Sequence, residues 1–305
     1  MTAVRDRLTL LVGGMTSPIR DAIGTLASRP GKQLRSTLLS ACAGYGPADA
    51  DRVTAAGAVV ELLHLASLVH DDLIDRAAVR RGTTAVHVAA GSDLAVLAGL
   101  SCFSAAGTEA AELGEDVALV VSRTVAELSH GELLDVERGF DTLLPLADYT
   151  ELVGRKTGAL FRLCCLLGAM ESGVDADCRN ALGEFGQELG VAFQILDDCL
   201  DLESDGADKP VGTDHLLGLF GAPTLAALRA DTTGELSELL LSVSFGAPDL
   251  AEVRRLVAHH GGLETARELA SVHYGRAKAA LSRTVEGPAR DSVTDVAEAV
   301  WSGRS

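Results

Sequence analysis

Two stretches of the chain carry the same acidic motif, D-D-x-x-D, directly after an apolar run. Leucine, valine and alanine recur before each motif at spacings of three and four residues, which predicts a helix with a buried face. Residues four apart share a helix face, so each motif brings two carboxylates together. Such carboxylates repel each other and gain stability only from a positive partner. The six aspartates are Asp71, Asp72, Asp75, Asp197, Asp198 and Asp201.

The repetition of the motif favours a metal-dependent site. A single copy is more simply explained as a solvated acidic helix end. Two copies, each on an apolar helix, favour two helices that face each other across a cavity. Proteins usually hold magnesium with one or two carboxylates together with substrate phosphates. The pattern therefore predicts magnesium ions that bridge the two walls and hold a diphosphate between them.

Composition and periodicity predict an all-α, single-domain protein over residues 1–305. Aromatic residues make up only 4% of the chain while alanine and leucine are abundant, which favours helix over sheet. No strand-like alternation and no shift in composition divides the sequence. The acidic motifs are expected to end helices over residues 50–75 and 181–201, and three more helices are expected between residues 222 and 285.

Charge and apolar pattern restrict the partners and the location of the chain. A formal net charge of −17 repels nucleic acid and anionic membranes, so a phosphate site must gather its own positive charge. The N-terminus lacks the layout of a signal peptide. The longest apolar run, residues 158–170, contains Arg162 and is shorter than the roughly 20 residues that cross a bilayer. We expect a soluble, cytoplasmic protein with no transmembrane segment, no nucleic-acid partner and six buried, reduced cysteines.

Basic residues accompany the acidic motifs. Lys32 and Arg35 follow a Pro-Gly break and open a helix, where backbone N–H groups favour an anion, although an ordinary charged cap explains them equally. Arg80 and Arg81 follow the first motif and are either salt-bridge partners or bidentate grips for phosphate oxygens. Lys209 lies in a Gly/Pro/Asp loop beyond the second motif, within reach of a phosphate.

Lys156 is unusual because a glycine follows it closely inside an apolar helical pattern. Gly158 costs about 1 kcal/mol there relative to alanine, which indicates a kink or a close ligand, with a surface lysine as the alternative for Lys156. Residues 109–139 show long helical periodicity, and the acidic residues on this stretch are interpreted as a mostly solvated face. They are Glu127, Glu132, Asp135 and Glu137.

Taken in order, these motifs resemble those of the all-trans isoprenyl diphosphate synthases, the polyprenyl synthetase family. The resemblance covers nearly the whole chain and rests on G-K-x-x-R at 31–35, H-x-x-S-L-x-H-D-D-x-x-D at 64–75, R-R-G at 80–82, K-T at 156–157, F-Q-x-x-D-D-x-x-D at 193–201 and K-P-x-G-x-D at 209–214. It implies a bundle of mostly antiparallel helices around a deep central cavity, commonly a homodimer. The implied reaction joins an allylic prenyl diphosphate to isopentenyl diphosphate and forms a longer all-trans prenyl diphosphate.

The resemblance also implies roles for individual residues. Magnesium, about three ions with substrate bound, is assigned to the carboxylates of both motifs, chiefly Asp71, Asp75 and Asp197, with Asp72, Asp198 and Asp201 in the same set. The allylic diphosphate is assigned to Arg80, Lys156 and Lys209. Isopentenyl diphosphate is assigned to Lys32, Arg35, His64 and Arg81. The catalytic residues it implies are Lys156, Thr157 and Gln194, of which Thr157 and Gln194 are expected near the developing cation.

Pocket depth is expected to set the length of the product. Ala66 and Ser67, just before the first motif, are both small, whereas a bulky aromatic residue there stops growth early in related enzymes. This predicts a product of C20 or longer, unless Phe103 on the next helix forms the floor.

Three positions depart from the family pattern. Ser36 replaces a usual proline, Leu100 replaces an acidic residue, and Leu219 stands where G-K-x-T-x-P carries its lysine. Three hypotheses follow: a chain-elongating synthase with a weakened allylic clamp, a diverged enzyme that cyclises or irregularly couples prenyl diphosphates, or a non-catalytic partner subunit. The intact acidic motifs argue against the last, because paired carboxylates are costly to keep without a cation.

Overall fold

The computed structural model describes residues 2–29, 31, 33–203 and 213–303, and these residues form an all-α bundle. Its helices are α1 Thr2–Gly13, α2 Ile19–Ala27, α3 Leu34–Ala43, α4 Ala50–Ile74, α5 Val86–Ala90, α6 Ser92–Leu113, α7 Glu115–Glu137, α8 Leu146–Val153, α9 Ala159–Ser172, α10 Ala176–Glu203, α11 Ala222–Ala230, α12 Glu235–Leu240, α13 Leu250–His259, α14 Gly262–Leu281 and α15 Pro288–Ser302. A π-helical turn, Gly154–Gly158, joins α8 to α9, and short 3-10 turns cover Thr213–Leu217 and Ala247–Asp249. Two short strands, β1 Val79–Arg80 and β2 Thr83–Thr84, form a hairpin after α4.

Helix α4 is the central helix of the larger core. Asp49 caps its first turn, since the carboxylate accepts the backbone N–H groups of Asp51 and Arg52 at 2.9 and 3.0 Å. From Ala56 to Val69 most of its side chains are buried, so α4 is apolar on nearly every side, as expected for a core helix. The helix thereby carries the first acidic motif from the core to the edge of the bundle.

Helix α10 connects two regions of the core. It packs mainly against α9 and α14, while α4 packs against α6 and α3 packs against α9. One buried cluster lies around α3, α4, α6 and α9, a second lies around α8 and α11–α14, and α10 contributes side chains to both. All six cysteines are free and buried in this packing, as predicted. The all-α helical architecture is confirmed, whereas the assignment of one domain to residues 1–305 stays a prediction.

Several boundaries differ from the sequence-based expectation. The first acidic helix ends at Ile74, close to the predicted bound, but the second begins at Ala176 rather than 181. Gly114 divides the periodic stretch from Glu109 to Gly139. Its φ of 127° is a conformation that favours glycine, and α6 ends there. Four helices, α11 to α14, occupy residues 222–285 instead of three, because short turns interrupt the apolar pattern there.

Two helices are long and apolar enough to cross a membrane by length and composition alone, although the sequence analysis identified none. They are α4 and α6, and 56% and 39% of their most apolar windows are buried inside the bundle. Since α4 is a core helix and α6 packs along it, the bundle itself accounts for much of this apolar character. The finding does not indicate a membrane protein.

The contact between α3 and α9 depends on Gly168, so we predict that Gly168→Ala destabilises the fold. A methyl group there would overlap the carbonyl oxygen of Leu39 and lie 2.7 Å from Cβ of Cys42. Overpacking of this kind costs about 1–3 kcal/mol in the free energy of unfolding, which urea denaturation measures. Gly275→Ala, on an exposed face of α14 with open space around the new methyl, should instead stabilise by up to about 1 kcal/mol. Equal stability of the two variants would contradict this account of the packing.

Candidate active site

The two acidic motifs line the same cavity, which has a volume of about 1780 Å³. Asp71 and Asp75, at the end of α4, lie on one wall. Asp197, Asp198 and Asp201, near the end of α10, lie on another. The cavity therefore brings together the two stretches that the sequence analysis placed on facing helices.

The first carboxylate wall is electrostatically strained. Burial raises the pKa of Asp71 to about 7, and the neighbouring carboxylates Glu132 and Asp75 add to this shift while Lys156 opposes it. Burial also raises the pKa of Asp75 to about 6, again with Glu132 adding and Lys156 opposing. These shifts mean that the ionised carboxylates lack enough positive charge nearby.

Asp72 has a different environment from its neighbours in the motif. Its side chain is buried, and Oδ1 accepts a hydrogen bond from Nε of Arg80 at 2.6 Å, while Nη2 of the same guanidinium lies 2.5 Å from Oδ1 in the salt bridge. Its other oxygen, Oδ2, has no hydrogen-bond partner among the described residues. The sequence analysis gave two interpretations of Arg80, a phosphate ligand or a salt-bridge partner of the motif. The structure shows the salt bridge.

The hairpin after α4 positions the two arginines. Arg81 and Gly82 form its two-residue turn with φ values of 50° and 71°, and two positive φ values are typical of a type I′ hairpin. Both Arg80 and Arg81 line the cavity, and Nη1 of Arg81 donates to the backbone oxygen of Arg29 at 3.1 Å. The turn therefore presents adjacent cations at the cavity edge.

His64 and Arg35 meet on the same side of the cavity. Nη1 of Arg35 lies 3.3 Å from Nε2 of His64, and its guanidinium lies over the ring of Phe161 at 5.2 Å. Burial lowers the pKa of His64 well below its ordinary value, and the Arg35 charge adds to the effect, so the imidazole is neutral. The two remaining lysines that the sequence assigned to substrate, Lys32 and Lys209, lie outside the described residues.

A π-helical turn explains the glycine beside Lys156. Nε2 of Gln187 on α10 donates to the carbonyl oxygen of Gly154 at 2.8 Å, which satisfies a backbone group of the turn. A methyl group on Gly158 would lie 2.6 Å from Nε2 of the same glutamine, so only glycine allows this approach. The predicted irregularity is real, and π turns of this kind are frequent at functional sites.

Lys156 is held by two carboxylates on α7. Its Nζ lies 2.8 Å from Glu132 and 2.5 Å from Asp135, and both acidic side chains are about one-fifth exposed, at 17% and 21%. Burial disfavours the ammonium, yet Asp135, Asp71 and Glu132 together raise the pKa of Lys156 above its ordinary value. The interpretation of Glu132 and Asp135 as a solvated face is therefore wrong, because the long-range pairing with Lys156 is not visible in a local pattern.

A chain of hydrogen bonds joins Thr157, Gln194 and the second acidic motif. The Thr157 hydroxyl donates to Oε1 of Gln194 at 2.9 Å, and Nε2 of Gln194 donates to Oδ1 of Asp198 at 3.0 Å. Oδ2 of Asp198 accepts the hydroxyl of Tyr149 at 2.5 Å and the backbone N–H of Ala222 at 3.1 Å. Tyr149, which the sequence analysis did not single out, is buried and fixes this carboxylate from outside the cavity.

The donor set fits magnesium together with a diphosphate. Among the described residues, no three acidic, histidine or cysteine side chains lie close enough together to hold a metal ion by themselves. Magnesium is usually bound by one or two carboxylates plus substrate phosphates, so a divided set of aspartates with basic residues nearby matches that requirement. The raised pKa values of Asp71 and Asp75 show that a cation would stabilise this wall.

Apolar side chains also line the cavity, and the small Ser67 lies among them. The apolar ones include Phe103, Leu128, Leu160 and Phe193. Phe103 packs against the ring of His70 with centroids 5.8 Å apart. Small side chains precede the first motif as the sequence indicated, and an aromatic side chain of α6 also reaches the lining.

The positions that depart from the family pattern have identifiable surroundings. Ser36 is buried and its hydroxyl lies 2.9 Å from a carboxylate oxygen of Glu61, so it has a polar partner in the core. Leu100 is 59% exposed on α6. Leu219 lines the same cavity as the second acidic motif, and it contributes no charge there.

Comparisons with known proteins agree with this geometry. The family model described as polyprenyl synthetase matches residues 16–258. The chain is 34% identical over 277 residues to a nonaprenyl diphosphate synthase of Mycobacterium tuberculosis, covering 88% of this chain and 82% of that one. It is 33% identical over 231 residues to heptaprenyl diphosphate synthase component 2 of Geobacillus stearothermophilus, covering 75% and 72%.

Solved structures show the same architecture. A polyprenyl synthase from Caulobacter crescentus, complexed with calcium and isoprenyl diphosphate, matches with a TM-score of 0.91 and 29% identity over 100% of this chain and 95% of that one. A geranylgeranyl pyrophosphate synthase from Lactobacillus brevis matches with a TM-score of 0.91 and 27% identity over 98% and 94%. On its sequence, its fold and the residues of its cavity, the chain belongs to the polyprenyl synthetase family.

Proposed function

We propose that the protein is a prenyltransferase that condenses an allylic prenyl diphosphate with isopentenyl diphosphate, and that its all-trans product is C20 or longer. One observation carries the proposal: two acidic motifs, several basic side chains and several apolar side chains border one cavity. Relatives named as nonaprenyl, decaprenyl and solanesyl diphosphate synthases support a long product. Membership of the family makes the chain a prenyl diphosphate synthase rather than a binding protein.

The acidic walls are proposed to hold the allylic diphosphate through magnesium. Asp71 and Asp75 on α4, with Asp197 and Asp201 on α10, would bind about three ions when substrate is present. Bound magnesium supplies the positive charge that makes diphosphate a good leaving group. Lys156 lies next to this wall and adds a fixed cation, which Glu132 and Asp135 keep in place.

The arginine side of the cavity is proposed to hold isopentenyl diphosphate. Arg35 and Arg81 present guanidinium groups, which match the geometry of phosphate oxygens. Neutral His64 adds a hydrogen bond without adding charge. By resemblance, Lys32 belongs to this group, and Lys209 belongs with Arg80 to the allylic group.

The reaction needs a pocket without water and the negative end of a dipole near the reacting carbon. When the allylic C–O bond breaks, the positive charge develops beside Thr157 and the carbonyl oxygen of Gln194, which stabilises it. The apolar lining keeps water from quenching the cation. The double bond of isopentenyl diphosphate then attacks, and the released diphosphate accepts the proton that is lost.

We also propose that the protein acts in the cytoplasm as a homodimer. The exposed face of α6 carries Val96, Leu97 and Leu100, which are 47%, 49% and 59% exposed. Neighbouring exposed apolar side chains mark interaction sites, and a second copy of the same helix would cover them. Light scattering that gave the mass of a single 31.6 kDa chain would contradict the dimer.

Product analysis tests the proposed function directly. The purified protein is incubated with magnesium, labelled isopentenyl diphosphate and geranyl, farnesyl or geranylgeranyl diphosphate, and the products are dephosphorylated and separated by length. A linear all-trans product longer than the primer supports the proposal. Hydrocarbon formed without isopentenyl diphosphate would instead indicate a diverged cyclase, and turnover that required another subunit would indicate a regulatory chain.

Leu219 identifies a place where the allylic clamp can be strengthened. We predict that Leu219→Lys lowers the Michaelis constant for the allylic substrate, since it adds a cation to the cavity lining beside the second motif. A charge-assisted hydrogen bond of about 1.5–3 kcal/mol corresponds to a decrease of about tenfold or more. Leu143→Lys, which adds the same charge at an 88% exposed position, is the control and should change nothing. An unchanged Michaelis constant in Leu219→Lys would contradict this explanation.

A further inference from the structure

Asp198 is surrounded by hydrogen-bond donors in a way that sets it apart from the other aspartates of the cavity. Oδ1 accepts Nε2 of Gln194 at 3.0 Å. Oδ2 accepts the Tyr149 hydroxyl at 2.5 Å and the backbone N–H of Ala222 at 3.1 Å. A carboxylate has about four lone-pair directions, and three of them are used here. Burial raises the pKa of Asp198 to about 7, but all three donors oppose that shift.

The backbone after the 3-10 turn is shaped to receive this carboxylate. A Cβ atom added to Gly221 would lie 2.5 Å from Oδ2 and 2.8 Å from Cγ of Asp198. The missing side chain therefore allows the carboxylate to approach the first turn of α11 and accept its N–H group. Tyr149 on α8 closes the other side, and it is only 4% exposed. Asp198 is thus fixed by three separate elements.

This arrangement decides which way the Gln194 amide points. Oδ2 of Asp198 already accepts two donors, and Oδ1 is the acceptor that Gln194 meets, so the NH₂ group of Gln194 faces Asp198. The carbonyl oxygen is then forced to the opposite side, where Thr157 donates to it and the cavity begins. Without Asp198, the amide has no fixed preference, and its positive end could equally face the cavity.

We propose that Asp198 is a positioning residue that orients the Gln194 carbonyl toward the developing cation, and that it is not a magnesium ligand. The inference rests on the proposed prenyl transfer and replaces the metal role that the resemblance implied for this aspartate. Tyr149 and the Ala222 N–H group serve the same end, since they fix the carboxylate that fixes the amide. Asp197, which precedes it and is exposed to the cavity, remains in the magnesium set.

The proposal is tested by exchanging the carboxylate of residue 198 and the amide of residue 194. In Asp198→Asn, the new NH₂ group faces Gln194 and turns its amide, so kcat should fall by about 10- to 100-fold. In the double variant Asp198→Asn/Gln194→Glu, the NH₂ group donates to a carboxylate that also accepts Thr157, and the total charge equals that of the wild type. This second change should recover kcat by about tenfold. A double variant slower than the single one would overturn the proposal.

Magnesium dependence separates positioning from metal binding. Asp197→Asn should raise the magnesium concentration for half-maximal rate by about tenfold or more, whereas Asp198→Asn should leave it unchanged. Calorimetric titration with magnesium and inorganic diphosphate measures the same difference without turnover. If Asp198→Asn weakened diphosphate binding as much as Asp197→Asn does, the proposal would be overturned.

Two further measurements keep the test decisive. If thermal denaturation shows that Asp198→Asn is unfolded, Tyr149→Phe replaces it as the test. This variant removes one donor to Asp198, so kcat should fall by about fivefold at unchanged magnesium dependence. An unchanged kcat would overturn the proposal. If the wild type itself does not elongate any allylic primer, the proposed function fails. The calorimetric comparison of Asp197→Asn with Asp198→Asn still decides whether Asp198 binds metal.

Discussion

Repulsion between carboxylates in a partly buried cavity is the constraint on which the rest of the structure depends. Asp71 and Asp75 lie near Glu132, and the basic group of Lys156 is shared with Asp135. The pKa values of Asp71 and Asp75 rise to about 7 and 6 because the cavity desolvates them. The bundle tolerates this cost since α4 and α10 are anchored in large apolar clusters. A cation and a diphosphate would turn the repulsion into binding energy.

The middle aspartate has a similar environment in both motifs. Asp72 forms a salt bridge with Arg80, and Asp198 accepts hydrogen bonds from Tyr149, Gln194 and the Ala222 N–H group. In each motif, the outer aspartates line the cavity, while the middle one fixes a neighbouring side chain; Asp198, unlike Asp72, also borders the cavity. A D-D-x-x-D motif therefore combines two tasks here, the gathering of charge and the orientation of the residues that use it.

The sequence predicted the features that depend on local spacing and missed those that depend on long-range contact. Apolar periodicity located the helices that end at Ile74 and Glu203, and the repeated motif predicted the shared cavity. The pairing of Lys156 with Glu132 and Asp135 joins α7 to the π turn, so neighbouring residues gave no sign of it. The spacing did carry a signal for the burial of Asp135, though not for its pairing: Thr124, Leu128 and Gly131 are buried at spacings of four and three, and the same spacing continues to residue 135.

The most direct test of the central claim is to locate the metal. Crystals grown with inorganic diphosphate and manganese, an anomalous scatterer that takes the same oxygen ligands as magnesium, would show where the ions bind. We expect anomalous peaks in the cavity next to Asp71 and Asp75 on α4 and next to Asp197 on α10, with the diphosphate between them. Diphosphate bound to the arginines alone, without manganese between the two acidic walls, would contradict the account.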